Sequence, residues 1–221
     1  MPNTTTIARL RTALADDFPG FDAVARRLRE AGLLPAGTGG RNGVGSAPLD
    51  LNQAALVFLA LISGEEPIDA PAGAVALDAY QFSAYFHPRV GACTRNDVPE
   101  EERCTLGEYL AGEIEHAVDP KHRVVGLTIE TDRVCTLDPD DIADFGRRPG
   151  DPPVLRDVSV ARERLEFTPA VKGPPQPLYD ERGRPYPSAM TLIVKPEALR
   201  AVASAFRVQR STTLLSGGGA A

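Results

Sequence analysis

Apolar side chains recur along the opening residues at helical intervals. In TTTIARLRTALADD, residues 4–17, Ile7, Leu10 and Leu14 stand three and four positions apart and share one helix face. A threonine at 4, 5 or 6 can accept a hydrogen bond from an unpaired first-turn amide, and Phe18-Pro19-Gly20 ends the run. A second helix is predicted over 21–31: Phe21, Val24, Ala25 and Leu28 point inward, with Leu33 following, and Arg26, Arg27, Arg29 and Glu30 take the other side. Gly32 suits the closing position, because glycine enters the left-handed region without a steric cost. Residues 36–47, glycine-rich around Arg41 and Asn42, read as an exposed loop. Asp50 and Gln53 then have capping-box spacing ahead of Leu51, Ala54, Ala55, Val57, Phe58, Leu61 and Ile62. That helix is apolar on most sides, so it is predicted to be the buried centre of a first domain.

Beyond residue 64 the pattern is mixed. Residues 65–71 read as a linker, and 74–86 predict a helix rich in aromatics (Tyr80, Phe82, Tyr85, Phe86), stopped at His87-Pro88. A polar loop over 93–104 precedes another helix, which Thr105 and Glu108 cap ahead of Tyr109, Leu110, Ile114 and Ala117. Residues 124–130 and 133–137 are β-rich runs around Thr131-Asp132, the pattern of a hairpin. An acidic, turn-rich stretch covers 138–150. In 158–167 Val158 and Val160 alternate, but Leu165 and Phe167 are out of phase with them. A helix or a bulged strand would fit, and the strand is preferred. Proline-rich 169–187 is expected to be extended loop. A strand at 190–194 and a helix opening at Pro196, with Leu199, Val202, Ala203 and Phe206 on one face, complete the pattern. The whole predicts an α+β fold: a helical head over 1–64, a mixed α+β body over 72–215 and a flexible tail over 216–221.

Charge changes this picture through its distribution. The chain of 221 residues carries a net −6. Residues 1–63 hold six arginines against five acids, a net of +1, which leaves −7 for the remainder. A near-neutral head with clustered arginines therefore precedes an acidic body, and the net charge argues against non-specific nucleic-acid binding by the whole surface.

The order of elements over 21–64, a charged amphipathic helix, a glycine-bearing loop with one arginine and a capped apolar helix, is that of a small winged helix-turn-helix. The run RRLREAGLLP, the loop with Arg41 and then LDLNQAALVFLALI resemble the head of MerR-type winged-helix regulators. In those a helix ends in Gly-Leu-Leu-Pro, a wing follows, and an Asp/Ser-capped helix comes next. The segment is also similar to uncharacterised, prophage-encoded proteins of GC-rich bacteria. The resemblance covers about 45 residues. It implies a double-stranded DNA partner, with Arg26, Arg27 and Arg29 on the outer face of the second helix and Arg41 and Asn42 at the wing tip. It further implies a phage or prophage regulatory setting and a homodimer, so that two heads meet two half-sites. The wing lacks the aromatic and second arginine usual in the MerR type, and no long coiled-coil helix follows residue 64, so effector binding and metal sensing are not carried over.

Other chemistry finds little support in the residues. Cys93, Cys104 and Cys135 are too widely spaced for the short ligand knuckles of structural zinc, and His87, His116 and His122 do not pair with them. Their odd number fits reduced thiols in a cytoplasmic protein. Asp138, Asp140, Asp141 and Asp144 lack the central glycine and terminal glutamate of a calcium loop. There is no nucleophile elbow, phosphate-binding loop or dinucleotide fingerprint. No enzyme activity, metal or cofactor is therefore expected. The longest apolar run, 54–62, is about half of a membrane span, so no membrane partner is expected. Two rival readings remain: a protein-interaction module, in which the arginine face docks an acidic partner or the acidic body mimics nucleic acid or meets a protein partner, and a virion assembly component.

Overall fold

The computed structural model describes residues 4–36, 47–63, 65–87, 91–94, 103–130, 133–137, 164–169 and 192–206. These residues form six helices and a six-stranded sheet, so the fold is α+β. The helices are α1 (Ile7–Leu14), α2 (Phe21–Glu30), α3 (Leu51–Ile62), α4 (Ala70–Asp78), α5 (Leu106–His116) and α6 (Pro196–Ser204). The strands are β1 (Gln81–His87), β2 (Gly91–Thr94), β3 (Gly126–Glu130), β4 (Arg133–Leu137), β5 (Arg164–Thr168) and β6 (Leu192–Val194).

Local signals account for the helix boundaries. Thr6 accepts from the Arg9 amide at 3.3 Å to start α1. Asp50 and Gln53 exchange both bonds of a capping box on α3, at 2.8 and 3.1 Å, and Thr105 and Glu108 do so on α5, at 3.2 and 2.8 Å. Each box satisfies two amides that would otherwise lack an acceptor and contributes on the order of 1 kcal/mol. Helix α2 closes as Gly32 predicts. That glycine has φ 72°, its amide donates to the Arg29 carbonyl at 3.0 Å, and the Leu33 amide donates to the Leu28 carbonyl at 2.9 Å. Together these are the two bonds of a Schellman motif.

Helix α3 is the centre of the helical layer, with Ala54, Ala55, Val57, Phe58, Leu59, Ala60 and Ile62 all buried. It packs against α2, α4 and α5, while α6 packs on α1 and α5. Packing thus continues across residues 65–71, and one hydrophobic cluster runs from Ile7 to Phe206 through head and body alike.

All described strand pairs are antiparallel, in the order β2-β1-β5-β4-β3-β6. The expected hairpin is present, with Leu127 opposite Thr136 and Ile129 opposite Val134. The cross-strand rows Phe82–Phe167–Val134 and Leu127–Val194 place buried apolar side chains on one sheet face. Tyr109 of α5 meets that face, its ring centroid 5.2 Å from that of Phe167. On the other face the row Thr128–Cys135–Glu166 is mixed, with Thr128 and Cys135 buried and Glu166 partly exposed.

Three expectations need correction. The helix predicted over 74–86 is instead the end of α4 followed by β1, because tertiary pairing overrides the local pattern. The Leu106 amide donates to the Tyr80 carbonyl at 2.7 Å and the Phe82 amide to the Cys104 carbonyl at 3.1 Å, which holds the aromatic stretch extended. The register of β1 on β5 also shifts between Phe82 and Ala84. The extra residue, Ser83, turns its hydroxyl to the Glu166 carbonyl at 3.1 Å, and this irregularity masks the two-residue alternation. The linker predicted over 65–71 gives way to α4 at Ala70, where Pro71 sits in the first turn, a position that tolerates a missing amide. Similarly, 93–94 belong to β2 rather than to the loop expected there. Of the strand expected over 158–167, the described part is β5; 158–163, the acidic stretch 138–150, the loop 170–187 and the tail 216–221 lie outside the described residues.

Candidate nucleic-acid interface

Helix α2 separates its residues sharply by chemistry. Phe21, Val24, Ala25 and Leu28 are buried against the core. At 3.6 residues per turn, the arc opposite them is centred near Arg26 and Glu30, with Arg27 and Arg29 on its two flanks. The arginines therefore fan around the outer side rather than line one stripe. Arg26 is the more open of the pair facing Glu30, its side chain 66% exposed against 38% for Arg27. Arg27 and Arg29 also lie in the last turn, where cations interact favourably with the helix dipole.

Acids already accompany these cations. The Glu30 carboxylate takes Arg27 at 2.8 Å and Arg26 at 3.7 Å. Asp22, in the first turn of α2, pairs with Arg11 of α1 at 2.9 Å. The last pair reveals a cation that the helical pattern alone did not single out. Arg11 stands at the edge of the Ile7–Leu10–Leu14 stripe, one turn from Ile7 and from Leu14, and reaches the N-terminal turn of α2, which extends the cationic side onto α1. All these pairs are at least one-third exposed, so each contributes at most about 1 kcal/mol and exchanges readily for another partner.

Arg41 and Asn42 lie outside the described residues. The chain on either side of 37–46 is firmly held. Leu34, two residues beyond Gly32, is 3% exposed, and Leu49 is 1% exposed. Leu49 forms an antiparallel bridge with Thr5, amide to carbonyl at 2.9 and 2.8 Å, which holds the chain ahead of α3 beside the start of α1.

Elsewhere, Cys104 is half-buried and Cys135 buried. Burial, and then the neighbouring Glu108, push the Cys104 thiol above its ordinary pKa, and its own backbone hydrogen bond offsets part of this. The His116 and His122 rings lie 5.4 Å apart, and His122 Nε2 is 3.2 Å from Glu113 Oε2. Among the described residues no group of three or more His, Cys, Asp and Glu is arranged to hold a metal ion. No described helix is long and apolar enough to cross a membrane.

Compared with known proteins, the chain matches no family model, no curated protein and no solved structure.

Proposed function

We propose that this chain is a DNA-binding protein whose α1–α2 side, with the 37–46 loop as its wing, engages double-stranded DNA. The observation that carries the reading is the fan of Arg26, Arg27 and Arg29 on the outer arc of α2, opposite a fully apolar buried face. A helix so divided can lie along a groove and offer guanidinium groups to phosphates while its back stays packed. The wing assignment rests on chain order, since the segment bearing Arg41 and Asn42 falls between α2 and the capped helix α3, and the Thr5–Leu49 bridge holds the residues that follow it beside the start of α1. In this reading the acidic body supplies dimer or partner contacts, in a phage or prophage regulatory setting, and performs no enzymatic step.

The rival reading is favoured by the −7 balance outside the head, which suits a body that meets a basic protein or mimics DNA. Retardation of genomic DNA fragments at two salt concentrations separates the two. Specific retarded bands support DNA binding. Their absence, together with capture of the chain by a basic DNA-binding enzyme, favours the rival.

A further inference from the structure

Glu30 occupies a place that helix energetics do not favour. It is the last residue of α2, at the negative end of the helix dipole, where an acid is disfavoured. Its pair with Arg26 runs from cation to acid along the chain, the weaker order for an i,i+4 pair. Helix stability therefore gives little reason for an acid here. The carboxylate nevertheless lies within reach of both Arg26 and Arg27, at 3.7 and 2.8 Å, its side chain half exposed. A phosphate group offers guanidinium groups the same acceptor chemistry.

Resting on the DNA-binding reading, we propose that Glu30 is a built-in anion that stands where a DNA phosphate binds and sets how tightly and how salt-dependently the α2 face holds DNA. In the free protein it neutralises two of the three arginines of the fan. On binding, a backbone phosphate must displace it, and the carboxylate then lies close to that phosphate. The device keeps non-specific affinity low, so that only a site adding base or shape contacts retains the protein.

The test is fluorescence anisotropy with a short labelled duplex, comparing the wild-type chain, Glu30→Gln and Glu66→Gln across a salt series. Glu66 is exposed ahead of α4, and its replacement makes the same change in net charge away from the fan. Glu30→Gln is expected to bind roughly three- to tenfold more tightly at low salt, with a salt slope steeper by about 1 for each further phosphate that the freed arginines neutralise. Glu66→Gln should stay near wild type, and the melting temperature of Glu30→Gln should not fall. Equal tightening in both variants would reduce the effect to bulk charge and overturn the proposal. So would wild-type binding that Glu30→Gln leaves unchanged, with the DNA-binding reading still standing. No wild-type binding at all would remove that reading and the proposal with it.

Discussion

The Thr5 hydroxyl donates to the Ala205 carbonyl at 2.7 Å, joining residues two hundred positions apart. Ala205 caps the C-terminal end of α6, where carbonyls lack intrahelical donors, and Thr5 is 1% exposed. The same residue pairs its backbone with Leu49. One threonine thus ties the start of the head to the last helix and to the chain just ahead of α3.

Thr5→Val keeps the shape and removes the donor, which leaves a buried carbonyl unsatisfied. The expected loss is about 1–3 kcal/mol, read as a lower urea midpoint at unchanged slope. Thr5→Ser, which retains the hydroxyl, should lose less. A Thr5→Val variant as stable as wild type, with the loss confined to Thr5→Ser, would mean that the methyl, not the hydrogen bond, matters here.

Gly32 has φ 72° and open space where a side chain would stand, so any penalty there is conformational. Gly32→Ala should cost about 1 kcal/mol, and Gly32→Asn less, since asparagine tolerates the left-handed region better. Thermal melts of the three chains would rank them glycine, asparagine, alanine. An alanine variant as stable as wild type would show that the end of α2 rearranges.

Asp78 lies against Gly107 in the first turn of α5, where a methyl group on Gly107 would overlap the Asp78 carboxylate. Gly107→Ala should therefore destabilise the wild-type chain. In an Asp78→Ala background the same change should be neutral or favourable, because alanine is the better helix former. Urea titrations of the four chains in this cycle give the coupling directly. Zero coupling would mean that the carboxylate swings away without cost.

Burial, and secondarily the nearby Glu108, raise the Asp78 carboxyl above its ordinary pKa of 3.8. The folded chain holds this proton more tightly than the unfolded one. The stability that this supplies is fully present below pH 3.8 and is lost as pH rises through the raised folded value. Asp78→Asn should then gain on wild type as pH climbs from about 4 to 7. Paired denaturation curves across that window check the sign, and a difference that stays constant or shrinks with rising pH would contradict it.

Much of the helical part is legible in the sequence because its signals are local. Thr6, Asp50 with Gln53, Thr105 with Glu108, and Gly32 each act within one helical turn, and each is found in the expected role. The stretch from Tyr80 to Phe86 looks helical in isolation because its strand state depends on Cys104 and on β5, which are far away in sequence. The continuity of the core is hidden for the same reason. A boundary over 65–71 looks like a linker until α3 is seen packed on α5. In the candidate interface, the outward placement of Arg26, Arg27 and Arg29 follows from helical periodicity. The pairing of Arg11 with Asp22 does not, because it depends on how α1 packs beside α2.

The most direct test of the central claim is the salt dependence of duplex binding by the wild-type chain and by Arg26→Ala/Arg27→Ala/Arg29→Ala. Anisotropy measured between about 50 and 200 mM salt gives both affinity and slope. The account predicts that the wild-type chain binds the duplex more weakly as salt rises. It also predicts that the triple variant, folded by circular dichroism, loses most of that affinity, with a slope shallower by about 0.9 for each phosphate no longer neutralised. A triple variant that binds with unchanged affinity and slope, or a wild-type chain that does not bind, would contradict it.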